Sequence, residues 1–313
     1  MRRDSSTPTA PAARFYRVAL IQIVAALVFV ASGGAQNFSI TGTLEAEMEG
    51  YEDGVLIADD FDSGTGLVSA EDFLAVPGSE LPEFDGSPVG RAVSIGGGSS
   101  PVAEFGANSS GIFFMGAEPA LRRYDIVSEA SWSSTVTPLG QSPENYELDL
   151  AIDPIELRFW DNQADPPGDL EWAAGYSIEV LLDGTAVWSS AAEVFGNRFG
   201  VSLTQSGTTL TTTSVNTPPP EAFGFFGYDF GPHDETIALG TFDDQDDPFN
   251  IDIRVTAFID DVPNTETGAY VLIGDPENNL PGVTGVIPEP STYALLGGLL
   301  AVFLATGRRA RFR

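Results

Sequence analysis

Carboxylates dominate the side chains able to do chemistry, and three groups of them are dense enough to hold a hard cation. Asp243, Asp244, Asp246 and Asp247 fall within five positions between two strand-like segments. Charges that close repel unless water or a cation lies between them. Asp60 and Asp62 stand in Asp59-Asp60-Phe61-Asp62-Ser63-Gly64, with Glu71 eleven positions after Asp60. That spacing partly matches a calcium loop, but Thr65 holds the sixth position, where such a loop needs glycine, and no helical pattern flanks it. Asp161, Asn162, Asp165 and Asp169 form the third group. Oxygen-only donor sets suit Ca²⁺, the one cofactor these residues suggest; the competing reading is a hydrated acidic surface.

Flat rings offer a second chemistry, stacking on sugars. Trp172 follows Asp169-Leu170-Glu171 and is expected to be exposed, and Tyr228 lies in the aromatic run Phe223–Phe230. These two are the candidate carbohydrate-binding residues, set against the general use of large aromatics for packing. Trp160 and Trp188 end strand-like runs in apolar register and read as core. A glycoside hydrolase needs only two carboxylates at a set separation. So many carboxylates meet that condition by chance that a secreted carboxylate-dependent hydrolase remains an alternative. His233, the only histidine, sits in the turn-like Gly231-Pro232-His233-Asp234-Glu235. Any Ser–His–Asp triad would have to use it, yet no Gly-x-Ser-x-Gly elbow occurs in the chain. No catalytic residue is assigned, and the expectation is a protein that is not an enzyme.

Composition narrows the field further. The 313 residues include 45 acidic and 14 basic ones, no cysteine and a single histidine, and every basic residue is arginine. Disulfides, thiol catalysis, Cys-based zinc sites and lysine Schiff bases are thereby excluded. Nucleic acid is a poor partner for so acidic a surface.

The elements that must position these groups are strands. Helical periodicity is nearly absent, while short alternating runs recur between Gly, Pro, Asp and Asn turns. Phe38–Glu49, Tyr146–Ile152 and Ile251–Ile259 alternate most clearly. Tyr176–Leu182 and Thr185–Trp188 flank Asp183-Gly184, a pair that supplies positive φ for a two-residue hairpin turn. A dozen such runs without a fixed repeat predict an all-β fold, an antiparallel β-sandwich of which a jelly roll is one form. The sandwich is expected over 36–274, as one domain or two subdomains, with 275–287 as a linker.

The two ends differ from this body. Residues 36–290 hold six arginines against 44 carboxylates, a balance of −38, whereas both termini are basic and apolar. Arginines, the apolar run Val18–Val30 and the small residues Ala31–Ala35 predict a signal peptide over 1–35, for removal by signal peptidase. At the other end, Pro288-Glu289-Pro290 precedes Ser291-Thr292-Tyr293, the apolar segment 294–306 and an arginine cluster.

This terminal arrangement resembles the PEP-CTERM sorting signal of exosortase-processed bacterial surface proteins, over about the last 28 residues alone. Thirteen apolar residues at ~1.5 Å rise make a helix of about 20 Å, short of a ~30 Å hydrocarbon core, which suits transient membrane association. The resemblance implies recognition of Pro288, Glu289 and Pro290 by an exosortase-type membrane protease. It also implies transient anchoring in the inner membrane of a Gram-negative-type bacterium, then transfer to the cell surface or extracellular matrix. The expected function is a non-catalytic structural or adhesive role linked to exopolysaccharide. A calcium-stabilised carbohydrate-binding module is the other alternative.

Overall fold

The computed structural model describes residues 38–73, 89–112, 121–139, 143–161, 171–197, 200–216, 224–242, 247–264, 267–275 and 280–288. All fall in one compact unit, Phe38–Pro290. The expected signal peptide and everything from Glu289 onward, including the 294–306 helix, lie outside the described residues.

Seventeen strands and no helix are described. In chain order they are β1 (Phe38–Glu52), β2 (Val55–Gly64), β3 (Leu67–Phe73), β4 (Val89–Gly96), β5 (Val102–Ile112), β6 (Arg123–Pro138) and β7 (Glu144–Ile152). Then come β8 (Ile155–Asp161), β9 (Trp172–Leu182), β10 (Thr185–Asn197), β11 (Gly200–Gly207) and β12 (Thr212–Asn216). The last are β13 (Gly224–Phe230), β14 (His233–Phe242), β15 (Phe249–Pro263), β16 (Thr267–Ile273) and β17 (Val283–Val286). They build two antiparallel sheets packed face to face, the sandwich that the alternation predicts.

The first sheet has the order β11-β10-β9-β15-β6-β1-β2. Its core strands follow the period of two directly. Along β1, Phe38, Ile40, Leu44, Ala46 and Met48 are buried, while Thr41, Thr43, Glu45 and Glu47 face solvent. A one-residue slip would exchange the two sets, and burying one aliphatic side chain contributes roughly 1.5–3 kcal/mol, so register is firmly set.

The second sheet holds ten strands in seven rows, because three rows are each made of two collinear strands. β7 continues into β8, β13 into β14, and β16 into β17. Ile152 faces both Val283 and His233, and Ile155 faces both Ile273 and Phe230, so the three interruptions stand at one level. Asp153-Pro154 and Gly231-Pro232 make two of them, since proline lacks the N–H a ladder needs. The third is the excursion between Gly274 and Gly282, where a Cβ on Gly282 would come within 2.3 Å of the Gly274 nitrogen. Asp153 N donates to the Gly282 carbonyl at 2.7 Å, and Gly282 N to that of Phe105 at 2.7 Å, so backbone groups at the break stay paired.

Between the sheets lies one apolar core that includes Trp132, Tyr124, Tyr146, Tyr176, Phe105 and Phe249. Burial pushes the Tyr146 and Tyr176 phenols up to about 12. Hydroxyls cross the interface as well. Ser94 Oγ donates to the Glu45 carbonyl at 2.9 Å, and Ser109 Oγ reaches the Ala257 carbonyl at 2.8 Å and Ser128 Oγ at 2.9 Å.

The expected linker 275–287 is corrected by this arrangement. Val283–Val286 pairs with both β5 and β7, and Ile287 is 1 % exposed, its N–H donating to the Pro101 carbonyl at 2.9 Å. Gly and Pro around so short a strand hid it. β5, over Val102–Ile112, is likewise hard to read from the chain, its Ser- and Gly-rich sequence masking the alternation.

Candidate functional site

The outward face of the first sheet carries a cleft of about 510 Å³ at one end. Two rungs of side chains form its floor. Thr41 of β1, Thr135 of β6 and Asn250 of β15 stand side by side in the first. Thr43, Ser133 and Asp252 make the second. All six point outward because Gly42, Ser134 and Ile251, at the intervening positions, point into the core.

The β9–β10 turn makes the end wall. Asp183 and Gly184 have φ of 47° and 74°, the positive-φ pair expected of Asp-Gly in a two-residue hairpin. Asp183 Oδ1 accepts from the Asn250 backbone N–H at 2.8 Å and from its side-chain amide at 3.3 Å, while Asp183 N donates to the Asn250 carbonyl at 2.9 Å. Thr135 Oγ1 donates to Asn250 Oδ1 at 2.8 Å. The lining is therefore hydroxyls, one amide and two carboxylates, all able to hydrogen-bond a polyhydroxylated molecule. Among the described residues no aromatic or basic side chain takes part in it.

Beyond the cleft the same face becomes acidic. The third rung is Glu45, Ser131, Arg254 and Glu179, and the fourth contains Glu47 and Glu129 as direct cross-strand neighbours. Partial burial, then the charges of Glu49, Glu129 and Glu45, hold the Glu47 carboxyl above its ordinary value. At the far end Asp260 is raised to about 6 by burial and by the charges of Asp125 and Asp261, with a further push from its hydrogen bond to Asp125 and the charge of Glu193.

The residues singled out in the sequence lie elsewhere. Asp60 and Asp62 do not converge on a common point: Asp60 Oδ2 accepts from the Glu71 N–H at 2.8 Å, and Asp62 Oδ2 from the Ser69 N–H at 3.2 Å. Both donors belong to β3, the outermost strand of the second sheet, so these carboxylates close its open edge. Asp243, Asp244 and Asp246 lie outside the described residues, and Asp247 is exposed. Among the described residues no three His, Asp or Glu side chains gather as a metal site.

Trp172 is buried at 2 % exposure rather than presented to solvent, its ring stacked on Phe159 with centroids 6.0 Å apart. It begins β9, and the acidic residues before it say nothing about which way the strand's first side chain turns. Tyr228, on β13 between β12 and β8, is partly buried against the core, and burial raises its phenol. Pro288 is half-buried, immediately after the last core residue, and Glu289 and Pro290 lie outside the described residues.

His233 is not a free loop residue. It opens β14, where its ring stacks on Trp188 and its Nε2 lies 3.1 Å from Glu235 Oε2. The Trp188 indole donates to the same oxygen at 2.6 Å. With these two hydrogen bonds the Glu235 carboxyl is held below its ordinary value, the His233 contact being the largest cause. This group joins β10 of one sheet to β14 of the other.

The cleft residues Thr41, Thr43, Ser133, Thr135, Asn250 and Asp252 escaped the sequence reading. Alternation places each on an outward face, but only the strand order brings β1, β6 and β15 side by side. Asp183-Gly184 was legible as a turn, not as the wall of a site.

No protein-family model matches the chain, and no curated protein matches it in sequence. Among solved structures, the enzymatically active domain of bacteriophage CBA120 tailspike protein 4 aligns over 80 % of this chain, at 10 % identity and a TM-score of 0.16. The chain spans only 19 % of that tailspike domain. A structure of carbohydrate-binding modules of promiscuous specificity, from the β-sandwich superfamily, aligns over 77 % of this chain and 84 % of its own, at 11 % identity and a TM-score of 0.12. Scores this low establish no relationship. The class of the protein, two packed antiparallel sheets without helix among the described residues, rests on its own strands.

Proposed function

We propose that the chain is an exported, exosortase-sorted protein of the cell surface or extracellular matrix, with a non-catalytic adhesive role linked to exopolysaccharide. The cleft on the first sheet carries the reading of the ligand: neighbouring hydroxyl, amide and carboxylate groups on rigid strands suit a molecule recognised through its own hydroxyls. The basic–apolar termini and the Pro288-Glu289-Pro290 motif support the reading of the location. The fold adds a further argument. Ile287 is buried and Pro288 beside it is half-buried, so the described sandwich reaches the first residue of the motif, and proline there favours the extended backbone that a membrane protease would need.

Two measurements test this. In its native host the protein, tagged on the N-terminal side of the sandwich, should lose its C-terminal segment; a mature form that keeps it would overturn the sorting. Full-length protein on a glycan array should retain polysaccharide, and Thr43→Trp, which fills the cleft, should abolish retention. Release of reducing ends from the bound glycan would replace the adhesive reading with a hydrolytic one.

A further inference from the structure

We infer that the cleft selects amine-bearing glycans, of the glucosamine-polymer type, over glycans carrying carboxylates. This rests on the reading of the cleft as a saccharide site and adds to it the sign of the charge that the site accepts.

Among the described residues, the charged groups lining the cleft are Asp183 and Asp252. Asp183 engages Asn250 through Oδ1 alone, and Asp252 receives no protein hydrogen bond among the described residues. Both carboxylates thus keep acceptor capacity for a ligand. The cleft floor continues without a step into the third rung, where Glu45 and Glu179 stand with Arg254. Successive rungs on one face are about 6.8 Å apart, inside the ~8 Å over which charge acts at physiological ionic strength. A bound sugar in the cleft therefore feels two carboxylates directly and two more one rung away, against a single arginine.

Neutral hydroxyls are indifferent to that field. A uronate would add a like charge beside two carboxylates that have no cationic partner among the described residues, which costs affinity, whereas a protonated amine would meet them as a charge-assisted donor. The hydroxyl rungs supply recognition common to all sugars, and the two aspartates supply the discrimination.

Full-length protein, titrated at pH 5.5 and 0.15 M NaCl, tests this with labelled hexamers of glucosamine, N-acetylglucosamine and galacturonate. At that pH the amines are protonated and ordinary aspartates are ionised. The glucosamine hexamer should bind about tenfold more tightly than the acetylated one, and the galacturonate hexamer most weakly. Asp252→Asn, which keeps shape and removes charge, should weaken the glucosamine hexamer about two- to fivefold more than the acetylated one. Thr43→Trp, at an exposed strand position, should remove both.

Equal affinity for the glucosamine and acetylated hexamers, with no effect of Asp252→Asn, would overturn the selectivity and leave the saccharide cleft standing. Glucosamine binding that survives Thr43→Trp would locate the attraction on the acidic surface at large and overturn the inference. Failure of all three hexamers to bind would remove the saccharide reading together with it.

Discussion

The sheet that bears the cleft is crossed by β1, β6 and β15, each of 15 or 16 residues and continuous from end to end, whereas three adjacent rows of the opposite sheet are broken at one level. The consequence shows on the two outer faces. Continuous neighbours give straight rungs of side chains, so the first sheet presents an ordered ladder that passes from hydroxyls to carboxylates. On the second sheet the charged groups engage one another. Arg158 lies across Gly227, pairs with Asp229 and Glu156, and Tyr270 donates to Glu156 at 3.2 Å. Arg91 pairs with Glu71 at 2.9 Å. Ion pairs tie neighbouring strands together on the second face, whereas the hydroxyl and acidic rungs beside the cleft are open to ligand and solvent, although the same acidic composition supplies both.

That contrast can be broken experimentally, and the largest effects belong to the core beneath each face. Trp132 is fully buried beneath β1 in the first sheet, and Trp132→Ala should destabilise the protein by about 3–5 kcal/mol in urea denaturation. A smaller loss would mean that the continuous sheet can collapse onto the vacated space. Gly282→Ala tests the broken rows. Its Cβ meets backbone rather than a flexible side chain, so a loss of about 1–3 kcal/mol is expected. A neutral result would show that the break is loose.

Salt should separate the faces next. Repulsion along Glu45, Glu47, Glu49 and Glu129 belongs to the first sheet, so melting temperature should be higher in half-molar NaCl than in dilute buffer. Glu47→Gln should reduce that difference, by an amount worth less than about 1 kcal/mol at a surface position. Equal salt dependence in the variant would place the repulsion elsewhere.

The smallest effect is with pH. Asp260 titrates at about 6 in the fold against an ordinary 3.8, so the folded chain holds a proton that the unfolded chain has lost. Stability should therefore fall as pH rises from about 4 to 6, and Asp260→Asn should flatten that slope in thermal melts. Glu235 acts in the opposite sense: its lowered value contributes stability that is lost as pH falls below the ordinary glutamate range. A wild-type slope that rises from pH 4 to 6 would contradict the Asp260–Asp125 pairing.

Legibility differed strand by strand. β1 and β15 could be read because one face is continuously apolar and the other continuously polar. The Asp183-Gly184 hairpin could be read because only residues tolerant of positive φ form that turn. β17 could not, since four residues between glycines and prolines carry no period of their own and are strands only because β5 and β7 flank them. Trp172 was misplaced for a related reason: whether a strand's first side chain faces core or solvent follows from its partners, not from the charge of the preceding loop. The pairing of Asp60 and Asp62 with the edge of β3 depends on two strands of different sheets lying side by side.

The sequence by itself determined the all-β character, the dense negative charge of the body and the basic–apolar ends, because periodicity, composition and terminal motifs are local properties. Tertiary structure decided where that charge is idle and where it is open. Thr41, Ser133, Asp183 and Asp252 are far apart in the chain and become one cleft only through the order β9-β15-β6-β1, an arrangement fixed by burial of the opposite faces of those strands. Function here depends on the side of each strand that the core did not claim, and only the packing of the core says which neighbours that side will have.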